Sequence, residues 1–270
     1  MLHERYESVT YEAMRLAARA LAAGRVEISV TGLENIPADG PVLLLARHYH
    51  HLFDGVVLLL SMPRPIHILV AVDWVKNRYA RRLLTLATTM PRWPAVLRSD
   101  APRSDVSEER ARTGKIFTPG AIRRYQRSAF SDSVALLTEG RVLVVFPEGY
   151  PNVDQYYTPK TRPEEILPFK AGFAAIAAAA EKRLGARVPI VPAGFRYTKN
   201  QRWSARLNIG EAVYAEDFVS RRVLVHRMEQ RIAELSGLFV SGQQLNGGSV
   251  PGEKGTRDEA HRLAASPGRR

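Results

Sequence analysis

The chain has 270 residues, of which 45% are apolar and none is cysteine. This composition suits one globular core rather than a polytopic membrane protein, and the absence of thiols excludes disulfides, thiolate metal sites and a cysteine nucleophile. The net charge of +12 is compatible with an anionic membrane surface, a phosphorylated ligand or nucleic acid, and charge alone does not choose among them.

Residues 2–23 carry apolar side chains at spacings that alternate between four and three, which predicts one face of an amphipathic helix. Two interpretations of that face stay open. It packs on the chain's own domain, or it lies in a membrane interface. The acidic start of the chain does not match a secretory signal, and no apolar run is long enough to predict a membrane-spanning helix.

Short apolar runs alternate with helical patterns through the rest of the body. Strands are predicted at 25–30, 41–46, 66–72, 95–98, 141–146, 188–195 and 205–209, and helices from about Asp54 and over 74–90, 129–139, 169–184 and 215–239. This alternation predicts an α/β fold in which helices flank a central mixed sheet. Two prolines favour an edge or irregular position for the strand at 188–195. Residues 99–128 are predicted to be a mobile basic insertion, and residues 241–270 a disordered tail.

The turn that follows the strand at 41–46 is the most informative stretch. It places His48, His50, His51 and Asp54 between two apolar runs. Histidine exchanges a proton near neutral pH, and a carboxylate can orient its ring, so this pattern predicts an acid–base pair. The alternative is a polar surface loop. A second polar turn, at 147–152, follows the strand at 141–146, and both turns should meet at the same end of the sheet.

Four blocks in order resemble those of the glycerolipid acyltransferase family, whose best-known members are the lysophosphatidate acyltransferases. They are His48 with Asp54, Arg98, the FPEG sequence at 146–149, and VPIVP at 188–192. The FPEG block is the most specific, and PFKAG at 168–172 supports it. The resemblance covers roughly residues 25–215.

The resemblance implies a mechanism. The histidine acts as general base on an acceptor hydroxyl and the aspartate orients it. The hydroxyl then attacks the thioester of acyl-CoA or acyl carrier protein without a covalent acyl-enzyme. No metal or bound cofactor is required. Arg98 is implied to bind the acceptor phosphate, and Glu148 and Gly149 to shape the acceptor site. Lys170 is predicted to be a second cation there.

The sequence departs from the family pattern in three places. In the family, four residues lie between the His and the Asp. Counting back from Asp54 at that spacing gives Tyr49 instead of a histidine. We assign the base to His48 and keep His50 as the alternative, because its i,i+4 spacing to Asp54 would put both on one helix face. Tyr150-Pro151 replaces the usual small hydroxyl residue and Arg, which weakens the case for a lysophosphatidate headgroup. Arg47 replaces a common Asn and is expected to supply part of the missing anion contact.

The resemblance also implies an organisation: an amphipathic segment at 1–24, an acyltransferase-like catalytic domain at 25–240 and the tail at 241–270. We expect an O-acyltransferase like those acting on 1-acylglycerol-3-phosphate in phospholipid biosynthesis. It would bind anionic lipid peripherally on the cytoplasmic face of a membrane. A non-catalytic lipid-surface protein with the same fold is the alternative. No nucleic-acid partner is expected, because no such motif accompanies the charge.

Overall fold

The apolar runs form a six-stranded central sheet in the computed structural model, which describes residues 2–75, 77–98, 117–153 and 158–238. Its strands are β1 (Val26–Thr31), β2 (Val42–Ala46), β3 (Ile66–Ile68), β6 (Val142–Val145), β7 (Ile190–Lys199) and β8 (Trp203–Ile209). Their order is β1-β8-β7-β2-β6-β3, and every pair is parallel except β7 with β8. A separate parallel pair contains β4 (Val70–Ala71) and β5 (Ala95–Val96).

Within these described ranges, six α-helices lie around the sheet: α1 (Leu2–Ala22), α2 (Phe53–Ser61), α3 (Arg78–Thr89), α4 (Pro119–Thr138), α5 (Gly172–Leu184) and α6 (Arg221–Leu235). Strand β2 is buried on both faces. Its Leu44 packs in the core on the side of α1 and α2, whereas Leu43 and Leu45 pack against α4, α5 and α6. Alternate residues of a strand point to opposite faces, so one continuous apolar run serves both layers. The predicted mixed sheet flanked by helices is confirmed.

Of the two positions predicted for the strand at 188–195, edge or irregular, the edge position is wrong, because β7 lies between β2 and β8. Pro192 has no N–H to give to the sheet. Its carbonyl accepts from the Gly210 N–H, so its nitrogen also faces the β8 side. This position lies just beyond Ala193 and Ile209, the last paired residues of β7 and β8. The proline therefore removes one hydrogen bond at the end of a ladder and leaves the ladder itself intact.

Two further predictions need correction. The single strand expected at 66–72 is divided between β3 in the central sheet and β4 in the small one. The helix expected at 129–139 begins at Pro119, where the Thr118 hydroxyl accepts from the Ala121 N–H and proline occupies the first turn. Residues 119–128 are thus helical rather than part of a mobile insertion. The rest of that insertion, 99–116, and the predicted tail lie outside the described residues.

Helix α1 packs on the domain through one side only. Ala18 and Ala22 are buried against the core, and Met14 packs beside them, whereas Val9 and Leu16 are exposed. The Glu7 carboxylate is paired with Arg92 and Arg141. Among the described helices, none has the length and apolar content needed to cross a membrane.

Candidate active site

The carboxyl end of β2 and the first turn of α2 bring His48 and Asp54 together. The distance from His48 Nδ1 to Asp54 Oδ2 is 2.7 Å. The chain makes a tight turn between them, in which the Asp54 N–H donates to the His50 carbonyl and opens the helix. A carboxylate in the first turn also interacts favourably with the helix dipole. The spacing of six residues is therefore compatible with direct contact.

Asp54 is 1% exposed, and its carboxylate is surrounded by donors. Besides the His48 ring, Oδ2 accepts from the backbone N–H groups of Tyr49 and His50, at 2.7 and 3.0 Å. The Tyr197 hydroxyl donates to Oδ1 at 2.8 Å. Burial, and next the Asp54 charge, raise the pKa of Tyr197 well above its usual range, which keeps this hydroxyl protonated. A carboxylate held by four donors is fixed in position and can hold the imidazole in one tautomer.

The His48 ring is oriented from two sides. It stacks on Phe146 with 4.3 Å between ring centroids, and Nδ1 is bonded to Asp54. With the Nδ1 proton directed at the carboxylate, Nε2 is the nitrogen that carries the lone pair. The side chain is 18% exposed, enough for a substrate to reach it. The carboxylate and the Phe146 ring thus fix the orientation of the imidazole, with Nε2 as the ring nitrogen not engaged by Asp54.

His50 is placed differently. Its Nδ1 accepts from the backbone N–H groups of Leu52 and Phe53, both at 3.2 Å, so it caps the start of α2. The ring stacks on Phe53 and meets the edge of Trp203. Burial, and next His51, lower the pKa of His50 to about 4. Its contact with Asp54 is made through the backbone N–H rather than the ring.

Glu148 lies behind His48 rather than in front of it. One carboxylate oxygen accepts from the His48 N–H at 3.0 Å, and the other accepts from the Leu167 N–H and pairs with Lys160. The Lys160 ammonium also donates to the His48 carbonyl at 3.1 Å and to Asn152 Oδ1 at 2.7 Å. Burial lowers the pKa of Lys160. The buried pair thus holds the His48 backbone on both sides.

Arg98, Gly149 and Lys170 converge in front of the histidine. Arg98 Nε donates to the Asp73 carboxylate, and NH1 donates to the Gly149 carbonyl at 2.6 Å. The guanidinium carbon lies 4.0 Å from the centroid of the Tyr150 ring, and the Lys170 ammonium 5.5 Å from it. Gly149 has φ 76°, and a Cβ there would meet Lys170 Nζ at 3.4 Å. Glycine therefore permits both this backbone conformation and the close approach of the cation.

Arg47 does not make the anion contact expected from the sequence. It is 2% exposed, and its guanidinium donates to the carbonyls of Pro163 and Phe195. Burial lowers its pKa, and the Glu148 charge opposes that effect. The side chain therefore links strand β7 to the loop that contains Pro163.

A cavity of about 330 Å³ opens beside these groups. His48, Gly149, Gln126 and the two cations Arg98 and Lys170 form its polar part, and Glu148 is not among its lining residues. The remaining wall is mainly apolar and includes Leu69, Ala71, Val96, Leu97, Phe130 and Phe173. A cavity with an apolar interior and a few polar groups at one end suits an amphiphilic ligand.

Three residues of the site are missing from the predictions made from the sequence: Asp73, Lys160 and Tyr197. Lys160 lies in a polar stretch, where a lysine is normally a solvated cation. Tyr197 has a detectable signal, because Ala193, Phe195 and Tyr197 share one face of β7 by period-two alternation. A phenol that continues a buried face requires a hydrogen-bond partner.

The chain is similar to known acyltransferases in sequence pattern and in fold. The sequence model of the Acyltransferase family matches residues 27–196. No curated protein sequence matches the chain significantly. Among solved structures, the fold is similar to that of the 1-acyl-sn-glycerophosphate acyltransferase PlsC from Thermotoga maritima. The TM-score is 0.53 at 18% identity, over 87% of this chain and 81% of that one. By its family match, which spans more than half its length, the chain belongs to the Acyltransferase family.

Proposed function

We propose that the protein is an O-acyltransferase that moves a fatty acyl group from a thioester to a hydroxyl of a lysophospholipid or similar glycerolipid. The observation that carries this proposal is the 2.7 Å contact between His48 and Asp54 at the wall of a largely apolar cavity. The similarity in fold to an acyltransferase of 1-acyl-sn-glycerophosphate supports the acceptor class.

In the proposed reaction, His48 Nε2 takes the proton of the acceptor hydroxyl as its oxygen attacks the thioester carbonyl. Asp54 stabilises the imidazolium that forms. When the tetrahedral intermediate collapses, the carbon–sulfur bond breaks and the leaving thiolate takes the proton from Nε2. The products are an ester and a free thiol, and His48 returns to its neutral form. A thiol released in this way would come from acyl-CoA or acyl carrier protein.

The cavity supports the assignment of the other groups. An acyl chain would occupy the apolar wall, and the headgroup of the acceptor would lie at the cationic end formed by Arg98 and Lys170. Arg98 is pre-oriented by Asp73 and Gly149, which lowers the entropy cost of binding an anion. Because such an acceptor resides in a bilayer, we propose peripheral binding on the cytoplasmic face of a membrane.

The first experiment separates the two histidines. Purified full-length protein is incubated with a radiolabelled acyl-CoA and a panel of lysolipids, and the acylated lipid is quantified. We expect His48→Gln to lower kcat by a factor of about 10²–10⁴, the usual contribution of a general base. His50→Asn keeps an acceptor for the α2 N–H groups and should retain most of the turnover. Loss of turnover in His50→Asn alone would reverse the assignment, and no turnover of any acceptor by the wild-type protein would favour the non-catalytic alternative.

The second experiment concerns the headgroup. Arg98→Gln should raise KM for a phosphorylated acceptor by about tenfold or more, because one charge-assisted hydrogen bond is lost, with a smaller change in kcat. Arg222→Gln removes an exposed cation on α6 and is the matched control. An equal KM for phosphorylated and uncharged acceptors in the wild type and in Arg98→Gln would remove phosphate recognition from the proposal.

A further inference from the structure

Helix α3 is amphipathic, but it exposes its apolar face instead of burying it. Four large side chains at spacings of four, three and four form what we call the α3 stripe: Tyr79, Leu83, Leu86 and Met90. They are 70%, 69%, 57% and 48% exposed. A surface helix normally turns such a stripe toward the core. A row of large apolar side chains on one exposed face marks an interaction surface.

The opposite face of α3 is polar and points inward. The Arg81 guanidinium donates to the Val75 carbonyl and stacks on the Phe117 ring at 4.3 Å. Thr88 is 6% exposed, and the hydroxyls of Thr85 and Thr88 bond to carbonyls of their own helix. These threonines border a cavity of about 490 Å³ that separates α3 from α4. The stacking of Arg81 on Phe117 and the burial of Thr88 show that this face is directed toward the domain, which leaves the α3 stripe directed outward.

The charges around the α3 stripe are cationic. Helix α3 contains no acidic residue, and Arg82 is exposed beside the stripe. Across the shared cavity, α4 adds Arg124, which lines the cavity together with one carboxylate, Asp132. Arg123 and Arg127 are exposed on the same helix, so cations outnumber acidic groups here. An apolar stripe beside cations matches an anionic bilayer, in which acyl chains lie beneath phosphate groups.

The position of α3 in the chain adds a reason. The helix connects β4 to β5, and Ala71 and Val96 of these two strands line the cavity beside His48. An element inserted between two walls of the substrate cavity is well placed to bring that cavity to a lipid surface.

We propose that the α3 stripe, with Arg82, is a docking surface for an anionic lipid bilayer. The surface goes beyond the proposed function, since it concerns residues outside the site, and it rests on that function only in that the acceptor is a lipid. The side chains of the stripe enter the interfacial region of the bilayer, while Arg82 and the α4 arginines contact lipid phosphates.

The absence of native cysteine allows one probe to be placed at will. Leu86→Cys is labelled with an environment-sensitive fluorophore, and Val219→Cys, at a position that is 93% exposed, is the matched control. Vesicles of phosphatidylcholine, with or without phosphatidylglycerol, are added to each full-length protein. We expect the emission of the label at position 86 to shift to the blue with anionic vesicles and the label at position 219 to remain unchanged. Equal shifts at both positions, or none at position 86, would overturn the proposal.

Vesicle sedimentation measures the contribution of the α3 stripe. The double variant Leu83→Ser with Leu86→Ser should lower the partition coefficient onto anionic vesicles by about tenfold or more. Val219→Ser with Val223→Ser, which removes two other exposed apolar side chains, should leave it unchanged. Arg82→Gln should weaken binding at low salt more than Arg222→Gln does. Equal losses in the paired variants would overturn the proposal.

The other possible occupants give different results. A blue shift without vesicles that grows with protein concentration would show that a second copy covers the stripe. A label that is already blue-shifted in the dilute protein, and is released by removing residues 239–270, would show that the chain covers itself. Either result overturns the proposal. Sedimentation requires no turnover and is repeated with His48→Gln, so failure of the proposed chemistry would leave the binding result intact.

Discussion

Replacing Lys160 by methionine tests the buried ion pair, Lys160 with Glu148, that holds the His48 backbone. Methionine has a similar length and shape but cannot donate a hydrogen bond. The change removes three bonds of the ammonium, to Glu148, Asn152 and the His48 carbonyl. It also leaves the Glu148 carboxylate buried without its counter-charge.

The expected cost follows from this burial. Removing one partner of a buried ion pair typically destabilises a protein by about 3–5 kcal/mol, because the remaining charge has lost its compensation. For a domain of this size each kcal/mol lowers Tm by about 2–4 °C, so the decrease should be roughly 6–20 °C. The turnover number should fall as well, because Glu148 and Lys160 position the His48 peptide from opposite sides.

Thermal and urea unfolding of Lys160→Met measure this cost, with Lys182→Met on the exposed side of α5 as the matched control. Combining Lys160→Met with Glu148→Gln also removes the Glu148 charge that the single variant leaves without its partner. The double variant should therefore be more stable than the sum of the single effects predicts, by more than about 1 kcal/mol. If Lys160→Met unfolds at the same temperature as Lys182→Met, the pair does not support the site as described.

Three other variants give direct tests. The pKa of His50 is about 4 in the folded protein, against an ordinary value of 6.5. The unfolded chain therefore binds a proton at this imidazole more readily than the folded protein does. The free energy of unfolding should fall by about 3 kcal/mol at most as the pH drops from 6.5 to about 4. His50→Asn should flatten that part of the curve in urea titrations, and an unchanged slope would assign it to another group. Tyr197→Phe removes a hydrogen bond to the Asp54 carboxylate. The free energy of unfolding in urea should fall by about 1.5–3 kcal/mol. No change would mean that water replaces the hydroxyl. Gly194→Ala would place a Cβ 2.3 Å from the Leu235 carbonyl carbon, so the end of α6 must move away. This shift should lower the free energy of unfolding in urea by about 1–3 kcal/mol. Unchanged stability would show that α6 moves without cost.

The sequence is sufficient to predict the layout around β2 and α2. A fully apolar run of strand length, followed by a polar turn, leaves few alternatives to a buried strand with the site at its end. The edge prediction for β7 failed because the cost of a proline depends on where its nitrogen points, and Pro192 points past the end of the ladder. The start of α4 has a local sequence signal, because Thr118 followed by Pro119 is typical of a helix N-terminus. The basic composition of the residues around it points instead to a loop.

The interior of the site is harder to predict, because its partners come from distant parts of the chain. Glu148 is part of a recognisable block, yet its contact with Lys160 depends on how a later loop folds back. Periodicity has a similar limit in α3. It predicts that Leu83 and Leu86 share one face, but it does not tell whether that face is directed inward or outward. The direction becomes visible only in the structure, where Arg81 stacks on Phe117 and Thr88 is buried.

The pairing of β1 with β8 has a consequence for synthesis of the chain on the ribosome. Thr31 lies beside Asn208, a residue 177 positions later, and in the described sheet β1 pairs with β8 at the edge. At about 5–20 residues per second, β1 must wait roughly ten seconds or more for its partner to emerge. The strands β2, β6 and β3 can assemble in the meantime. The nascent chain would therefore expose one unpaired strand during most of translation, and a chaperone that binds extended segments would be expected to act there.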